Sequence, residues 1–209
     1  MVEDILATYR RRFTLLESLV DNLSDVVRSD LTGVLHIDRI SFRVKDPGSF
    51  FEKSTAMLPS GGRKYLNPLR EIEDQVAGRV IVFYSSDISI VSSVLEETFR
   101  RVESEVREPE DESSFGYESY HHIFLIPEHH KPDRWDDEEN MPATFELQVR
   151  TLFMHAWAEP QHDLGYKGGE LSREVRRKLA WVAASAWGAD RTMDEIYRET
   201  IKFQQNAQF

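Results

Sequence analysis

The sequence predicts an α+β fold in which one mixed, mostly antiparallel sheet is flanked by helices. Apolar residues recur at helical spacing near both ends of the chain, whereas the middle contains short runs that alternate or are rich in β-branched residues. Strand-like runs first interleave with helical runs and then follow one another directly. That order favours a mixed sheet over a purely parallel one.

The chain has 209 residues, which suits one compact domain with helical additions. We predict an N-terminal helix within residues 1–33 and a sheet-containing domain over residues 34–168. Residues 169–209 are predicted to be helical, with two helices over residues 172–203 that pack on the domain or on an oligomer partner.

Each predicted element has its own local signal. The N-terminal helix spans residues 3–30 on its apolar periodicity, and Pro47 with Asp46 before it marks the start of a second helix. A third helix is predicted from residue 85, and helix resumes at Leu152. The predicted strands are residues 34–44, 77–84, 102–106, 117–126 and 143–149, the last two joined as a hairpin by the polar stretch 127–142.

Composition excludes several function classes. The chain has no cysteine, which rules out disulfides, zinc ribbons and thiol catalysis. Its net charge of -11 argues against an extended DNA-binding surface but leaves room for a basic pocket that binds a small anion. The acidic, amphipathic start is unlike a signal peptide, and no apolar run reaches membrane-spanning length. These features predict a cytoplasmic protein without a membrane or DNA partner.

Polar groups concentrate where the last strand meets the following helix. Glu146, Gln148 and Arg150 alternate with apolar residues, so the three polar side chains project from one face of the strand. That face either lines a cleft or is simply solvated. On the helix, His155, Glu159 and His162 share a face that could bind a metal, but Pro160 interrupts it, and substrate or surface contacts are the alternative.

Three cations and a hydroxyl surround the first strand end and the helix after it. Arg43, Lys45, Ser49 and Lys53 occupy this segment, where a helix N-terminus also offers backbone N–H donors. The pattern suits a polyphosphate cradle and is not a Walker loop, because no GxxxxGK[ST] sequence occurs. Scattered surface cations are the alternative.

The second predicted strand contains a cation among apolar residues. Arg79 should face a cleft or pair with an anion, since an unpaired buried guanidinium is costly. Asp74, just before this strand, is either a magnesium ligand or a loop-capping residue. Further along, Tyr117 beside Gly116 could stack on a nucleobase or be an ordinary strand-end aromatic.

Together and in this order, these pieces resemble the RelA/SpoT-type synthetase domain, the pyrophosphokinase that makes the (p)ppGpp alarmones. The resemblance covers about residues 35–170 and is closest to the stand-alone, small synthetases. The matching patterns are R-x-K-x-x-x-S-x-x-x-K at 43–53, D-x-x-A-G-R at 74–79, G-Y-x-S-x-H at 116–121, E-x-Q-x-R-T-x-x-x-H-x-x-A-E at 146–159 and H-x-x-x-Y-K at 162–167.

The resemblance implies a nucleotidyltransferase-like synthetase fold, Mg²⁺ as cofactor, and transfer of pyrophosphate from ATP to the 3'-hydroxyl of GDP, GTP or GMP. It also implies residue roles. Arg43 and Arg79 would hold adenine, and Lys45, Ser49 and Lys53 the ATP phosphates. Asp74 and Glu146 would bind the metal, with Glu146 also the general base. Tyr117, His121, Gln148, Arg150 and His155 would form the acceptor pocket.

One departure from the family's sequence pattern leaves the identity of the acceptor undecided. Family members that use GDP or GTP often have a basic run before the Gly-Tyr pair, where this chain has the acidic residues 107–116. Relatives that pyrophosphorylate the 3' end of tRNA, or that make adenosine alarmones, are the alternative, and these are toxins in some cases with an antitoxin partner. A catalytically silent nucleotide-binding module is a third reading, disfavoured because Asp74 and Glu146 are both present. Small relatives are often tetramers.

Overall fold

The structure is a computed structural model that describes residues 2–107, 119–166 and 171–206. The strands and helices in these ranges follow the predicted order. The helices are α1 (Val2–Arg11), α2 (Phe13–Asp30), α3 (Pro47–Ser54), α4 (Pro68–Glu71), α5 (Ser85–Thr98), α6 (Leu152–Tyr166) and α7 (Arg173–Asn206). The strands are β1 (Ile37–Val44), β2 (Val76–Val82), β3 (Arg101–Arg107), β4 (Ser119–Leu125) and β5 (Thr144–Thr151).

The strands form one sheet in the order β1-β2-β5-β4-β3. The pair β2–β5 is parallel and the other pairs are antiparallel, so the predicted mixed, mostly antiparallel sheet is confirmed. The last two strands pair with each other, as the predicted hairpin requires. β5 lies between β2 and β4, which makes the strand with Glu146 the central strand of the sheet.

The apolar face of the sheet packs against α2 and α5 and forms the core. Phe145, Leu147 and Val149 of β5 are fully buried there, while Glu146, Gln148 and Arg150 project from the opposite face, as the alternation predicted. α2 contributes its apolar stripe, in which Leu16, Leu19, Leu23 and Val27 are buried. One face of the sheet is therefore covered by helices, and the other is left to build a polar site.

Gly78 allows the core to close tightly across β2. It pairs with Phe42 on one side and Leu147 on the other. A Cβ atom at this position would lie 2.5 Å from a ring carbon of Phe42 and 2.6 Å from Leu147 Cδ1. The glycine is thus required by a close approach of two neighbouring side chains rather than by an unusual backbone angle.

The N-terminal segment differs from the single helix that its periodicity predicts. Two helices meet at Arg12, whose side chain is only 2 % exposed. Its guanidinium donates hydrogen bonds to the carbonyl oxygens of Glu139 and Asn140 in the connection between β4 and β5. These partners are about 127 residues away in sequence, so no local pattern could reveal why the helix is interrupted there.

The prediction of two helices over residues 172–203 is wrong. The described residues form one helix, α7, of 34 residues, which continues through Gly188. A single glycine costs a helix about 1 kcal/mol relative to alanine, which the long flanking segments outweigh. α7 is fixed to the body where Asp194 Oδ1 accepts a 3.0 Å hydrogen bond from the Ser86 N–H and where Tyr197 stacks on Tyr84.

Within the described ranges, none of the helices has the length and apolar character needed to cross a membrane.

Candidate active site

A polar cavity opens on the face of the sheet opposite α2 and α5. It brings together Asp74, which precedes β2, with Glu146 of β5 and His121 of β4. Among the described residues, the lining consists of Lys53, Glu73, Asp74, Glu103, Glu105, His121, Ile123 and Glu146. Residues from four separate sequence patterns therefore meet at one place, as the ordered motifs predicted.

Glu146 is held by its neighbours on the sheet. His121 Nδ1 lies 2.6 Å from Glu146 Oε1, and Gln148 Nε2 donates a 2.6 Å hydrogen bond to the same oxygen. Arg150 in turn donates to Gln148 Oε1. The row of polar side chains on β5 is thus a connected hydrogen-bonded chain, and the solvated-face alternative does not apply to it.

The surroundings of Glu146 favour its ionised form. Burial alone would raise the pKa of this carboxyl, but the hydrogen bonds from His121 and Gln148 outweigh burial and lower it. The side chain is only 10 % exposed. A buried carboxylate that remains ionised at neutral pH can accept a proton or bind a cation.

Asp74 is bridged by two lysines. Lys45 Nζ lies 2.8 Å from Asp74 Oδ2, and Lys53 Nζ lies 3.0 Å from Asp74 Oδ1. Burial opposes ionisation of Asp74, but the two ammonium groups outweigh burial and lower the pKa of the carboxyl. The predicted phosphate-binding lysines and the predicted metal ligand are therefore in direct contact.

The N-terminal helix positions this lysine pair. The Tyr9 hydroxyl donates a 2.8 Å hydrogen bond to the Lys45 carbonyl, and the Tyr9 ring stacks on Phe50 of α3 with ring centroids 3.8 Å apart. The Lys45 N–H donates to the carbonyl of Gln75, next to Asp74. Lys45 is consequently fixed on both its backbone groups, which directs its side chain towards Asp74.

The other two predicted residues of the first pattern, Arg43 and Ser49, lie on β1 and α3. Ser49 is in the first turn of α3, where its N–H donates a 3.0 Å hydrogen bond to the capping residue Asp46, as the sequence predicted. Arg43 is exposed on β1 and pairs with Ala77 of β2, which in turn pairs with Glu146 of β5. Arg43 therefore lies on the same face of the sheet as Glu146.

A second polar cluster lies between the middle of β2, the end of β5 and α6. Arg79 forms an ion pair with Glu159 of α6 at 2.5 Å, which confirms that this guanidinium pairs with an anion. His155 Nδ1 is 3.5 Å from Arg79 and 3.7 Å from Glu159, and Arg150 Nη1 is 3.9 Å from Glu159. Burial, followed by the charge of Arg79, lowers the pKa of His155.

Two of the sites predicted from the sequence are only partly covered by the described residues. Tyr117 lies outside them, as do Lys167 and the side chain of His162. The described residues contain no group of three His, Asp or Glu side chains placed to hold a metal ion, and Glu159 instead pairs with Arg79. The predicted metal site of His155, Glu159 and His162 stays a prediction, because the side chain of His162 lies outside the described residues.

Sequence reasoning missed three carboxylates in the cavity. Glu73 precedes Asp74, and Glu103 and Glu105 lie on β3. The alternation of Glu103 and Glu105 in the predicted strand places both on one face, but only the pairing of β3 with β4 shows which face it is. Glu159 was noted for its helical spacing, and its partnership with Arg79 depends on the packing of α6.

Comparisons with known proteins place this arrangement in a family. Residues 42–171 match the profile described as "Region found in RelA / SpoT proteins". The chain belongs to the RelA/SpoT family. It is 31% identical over 176 residues to GTP pyrophosphokinase YjbM of Bacillus subtilis (strain 168), covering 80% of this chain and 75% of that protein.

Solved structures of relatives share the fold. Small alarmone synthetase 1 from Bacillus subtilis bound to its product pppGpp matches with a TM-score of 0.69 and 28% identity, covering 94% of this chain and 96% of the other. The same synthetase bound to AMPCPP matches with a TM-score of 0.68 and 26% identity, covering 93% and 98%. The resemblance to RelA/SpoT-type synthetases and to their fold is thereby confirmed.

Proposed function

We propose that this chain is an alarmone synthetase that transfers the β,γ-pyrophosphoryl group of ATP to the 3'-hydroxyl of a guanosine nucleotide and releases AMP. The observation that carries the proposal is the shared cavity of Asp74 and Glu146, with lysines on one side and His121 on the other. Membership of the RelA/SpoT family supports it, as do the ligands named for the Bacillus subtilis relative, a guanosine product and an ATP analogue.

ATP would occupy the side of the cavity formed by β1, α3 and β2. Lys45 and Lys53, with Ser49, would bind its phosphates, and Arg43 and Arg79 would hold the adenine. Phosphates compete with Asp74 for the same two ammonium groups, which now lie 2.8 and 3.0 Å from its oxygens. ATP binding would therefore move the lysines onto the nucleotide and free the Asp74 carboxylate.

Glu146 would act as the general base. The acceptor 3'-oxygen attacks the β-phosphorus of ATP, the bond from that phosphorus to the α-phosphate oxygen breaks, and AMP leaves with the electron pair. The proton of the 3'-hydroxyl passes to Glu146. His121 and Gln148, each 2.6 Å from Glu146 Oε1, would keep the carboxylate in the orientation that receives this proton.

The acceptor would lie on the other side of Glu146. His121, Gln148, Arg150 and His155 would line its pocket, and Tyr117 would stack on its base. Arg150 and His155 already form one polar cluster with Glu159, and Arg150 is joined to Glu146 through Gln148. This continuity allows the acceptor ribose to be positioned relative to the base by a single strand.

The donor set fits magnesium. Asp74 and Glu146 offer ionised carboxylate oxygens in one cavity, and Mg²⁺ prefers a few carboxylates together with water and substrate phosphates. Bound there, the ion would neutralise the charge that develops on the transferred phosphates. Asp74 and Glu146 are the residues that would hold it.

A homo-oligomer is proposed from the surface of α7. Trp181 is 72% exposed and Phe203 76% exposed, and Ile196 is half exposed on the same helix. Large apolar side chains on an extended helix favour burial against a partner. We propose a second copy of this chain as that partner, and the predicted division at residue 169 would then separate the catalytic domain from an assembly helix.

A labelling assay tests the proposed reaction. ATP labelled at the γ-phosphate is offered with Mg²⁺ to the protein and, separately, GMP, GDP, GTP, ATP or bulk tRNA. Label on a guanosine nucleotide is the expected result. Label only on tRNA or ATP would instead identify a toxin-type relative, and no transfer by folded protein that binds ATP would overturn the proposal.

A further inference from the structure

The acceptor side of the cavity is strongly acidic. Glu105 pairs with His121 and Glu103 with Ile123, and Ile123 pairs with Glu146. Because side chains opposite one another project from the same face, Glu103 and Glu105 lie on the face of the sheet that presents Glu146. Two strand spacings separate Glu103 from Glu146, which corresponds to about 10 Å.

The position of this acidic wall follows from the strand order. β1 and β2, which hold the proposed ATP site, lie on one side of β5, and β4 and β3 lie on the other. Of the proposed acceptor residues, His121 lies on β4, so in the proposed arrangement the 5' end of the acceptor extends from Glu146 towards β4 and β3. Its 5' substituent therefore comes close to the wall, which we define as Glu73, Glu103 and Glu105.

Carboxylates outnumber cations among the described side chains that line the cavity. Five of these eight residues are carboxylates and one, Lys53, is a lysine. Asp74 already pairs with Lys53 and with Lys45.

We propose that Glu73, Glu103 and Glu105 form an electrostatic filter that favours a guanosine acceptor with few 5' charges, so that a nucleoside monophosphate is used in preference to a di- or triphosphate. The inference rests on the proposed function, because it assigns the acceptor class for that same site. Each added phosphate brings about one more negative charge towards the wall. Like charges about 10 Å apart in a partly screened cleft change an equilibrium by roughly tenfold.

The filter predicts that kcat/KM differs among GMP, GDP and GTP, and that a double variant of the wall removes this difference. For the wild-type protein, kcat/KM should fall from GMP to GDP to GTP at fixed free Mg²⁺, more steeply at low salt because ions screen exposed charges. The double variant Glu103→Gln/Glu105→Gln should raise kcat/KM for GTP about tenfold and change that for GMP far less. The matched control, Glu97→Gln/Glu195→Gln, removes two exposed carboxylates remote from the cavity and should preserve the ranking.

Binding measurements separate this inference from the proposed function. Equilibrium binding of GMP and GTP to the Glu146→Gln variant tests the filter without any transfer. If no acceptor is labelled by the wild-type protein, the proposed function fails, yet tighter binding of GMP than GTP, reversed by the β3 substitutions, would still support the filter.

Two results would overturn the filter. One is an unchanged ranking in the double variant, with its melting temperature intact. The other is a fall in GTP use on removing Glu103 and Glu105, because carboxylates that assist a polyphosphate must hold a cation that bridges to it.

Discussion

Lys45 donates a 2.8 Å hydrogen bond to Asp74, so the carboxylate expected to bind a metal has a cationic partner within the protein itself. Lys53 pairs with the other oxygen of the same carboxylate. A divalent ion must therefore displace at least one ammonium group to reach Asp74. Phosphates of ATP offer the lysines an alternative partner, which couples nucleotide binding to metal binding.

Metal binding should accordingly depend on ATP. We expect Mn²⁺, used as a spectroscopic substitute for Mg²⁺, to bind the free protein at least about tenfold more weakly than the complex with a non-hydrolysable ATP analogue. Lys53→Met should strengthen binding to the free protein, because one competitor for Asp74 is gone. Electron paramagnetic resonance of free Mn²⁺ measures both. Lys178→Met, on exposed α7, is the control, and equal affinity with and without nucleotide would contradict the coupling.

Loss of the Glu146 carboxylate should abolish transfer without abolishing ATP binding. Replacing a general base typically lowers the rate by about 10²- to 10⁴-fold, and Glu146→Gln keeps the volume of the side chain. Its amide can still accept a hydrogen bond from Gln148. Single-turnover rates with labelled ATP, beside Glu97→Gln as the control, give the comparison. A variant that retains more than a tenth of the wild-type rate would exclude Glu146 as the base.

Gly78→Ala should destabilise the fold. The added methyl group would lie 2.5–2.6 Å from Phe42 and Leu147, and overpacking of this kind costs about 1–3 kcal/mol. Gly188→Ala is the matched control, since nothing lies within 4 Å of a Cβ there and alanine in a helix interior gains about 0.5–1 kcal/mol over glycine. Urea unfolding of both variants should give changes of opposite sign. An unchanged free energy of unfolding for Gly78→Ala would show that Phe42 and Leu147 can shift to make room for the methyl group.

His122 should make the fold sensitive to mild acid. It is buried between α5 and the sheet, with Ser92 Oγ 3.1 Å from Nε2 and Ser104 Oγ 3.3 Å from Nδ1, and burial lowers its pKa. The unfolded chain, with a His pKa of about 6.5, then binds more protons than the folded chain. Stability is therefore complete above that pH and decreases as the pH falls towards the lowered pKa of the folded state.

The measurement is the free energy of unfolding in urea between about pH 7.5 and pH 5, above the usual carboxyl range. His122→Gln should flatten the dependence, because it removes the buried imidazole. His129→Gln, which removes an exposed imidazole, should leave the His122 contribution in place. Identical slopes for wild type and His122→Gln would contradict the assignment.

The exposed face of α7 should control assembly. Trp181→Glu places a charge at the proposed contact and is expected to shift the protein towards monomer in light scattering coupled to size exclusion. Thr192→Glu, also exposed on α7, is the control for added charge alone. If the wild-type protein is monomeric at high concentration, the proposal that α7 binds a second copy of this chain is contradicted.

Short local patterns in the sequence predicted where several polar side chains lie in the fold. Alternation along β5 correctly placed Glu146, Gln148 and Arg150 on one face, and the proline after Asp46 marked the start of α3. The five strands were found from composition and alternation alone. Strands that have one polar and one buried face produce this signal directly.

What the sequence could not predict depends on tertiary pairing. The break at Arg12 follows from backbone carbonyls beyond β4, and the partner of Arg79 is a glutamate on α6. The acidic wall requires the register of β3 against β4, which shifts between Arg101 and Glu103. In α7, the predicted boundary between two helices is overridden by the continuity of one long helix.

The positions of β5 and β3 in the sheet differ in how readily each strand tolerates substitution. β5 is hydrogen-bonded on both sides, so its amides should exchange with solvent only when the whole domain unfolds. The proposed general base, Glu146, thus lies on the strand that is expected to open least. Among the described residues, β3 pairs with a strand on one side alone, and its side chains on the polar face can be replaced with little disturbance of the core. If β3 sets acceptor preference as proposed, that preference should be changeable by substitutions at the edge of the sheet that leave β5 unchanged.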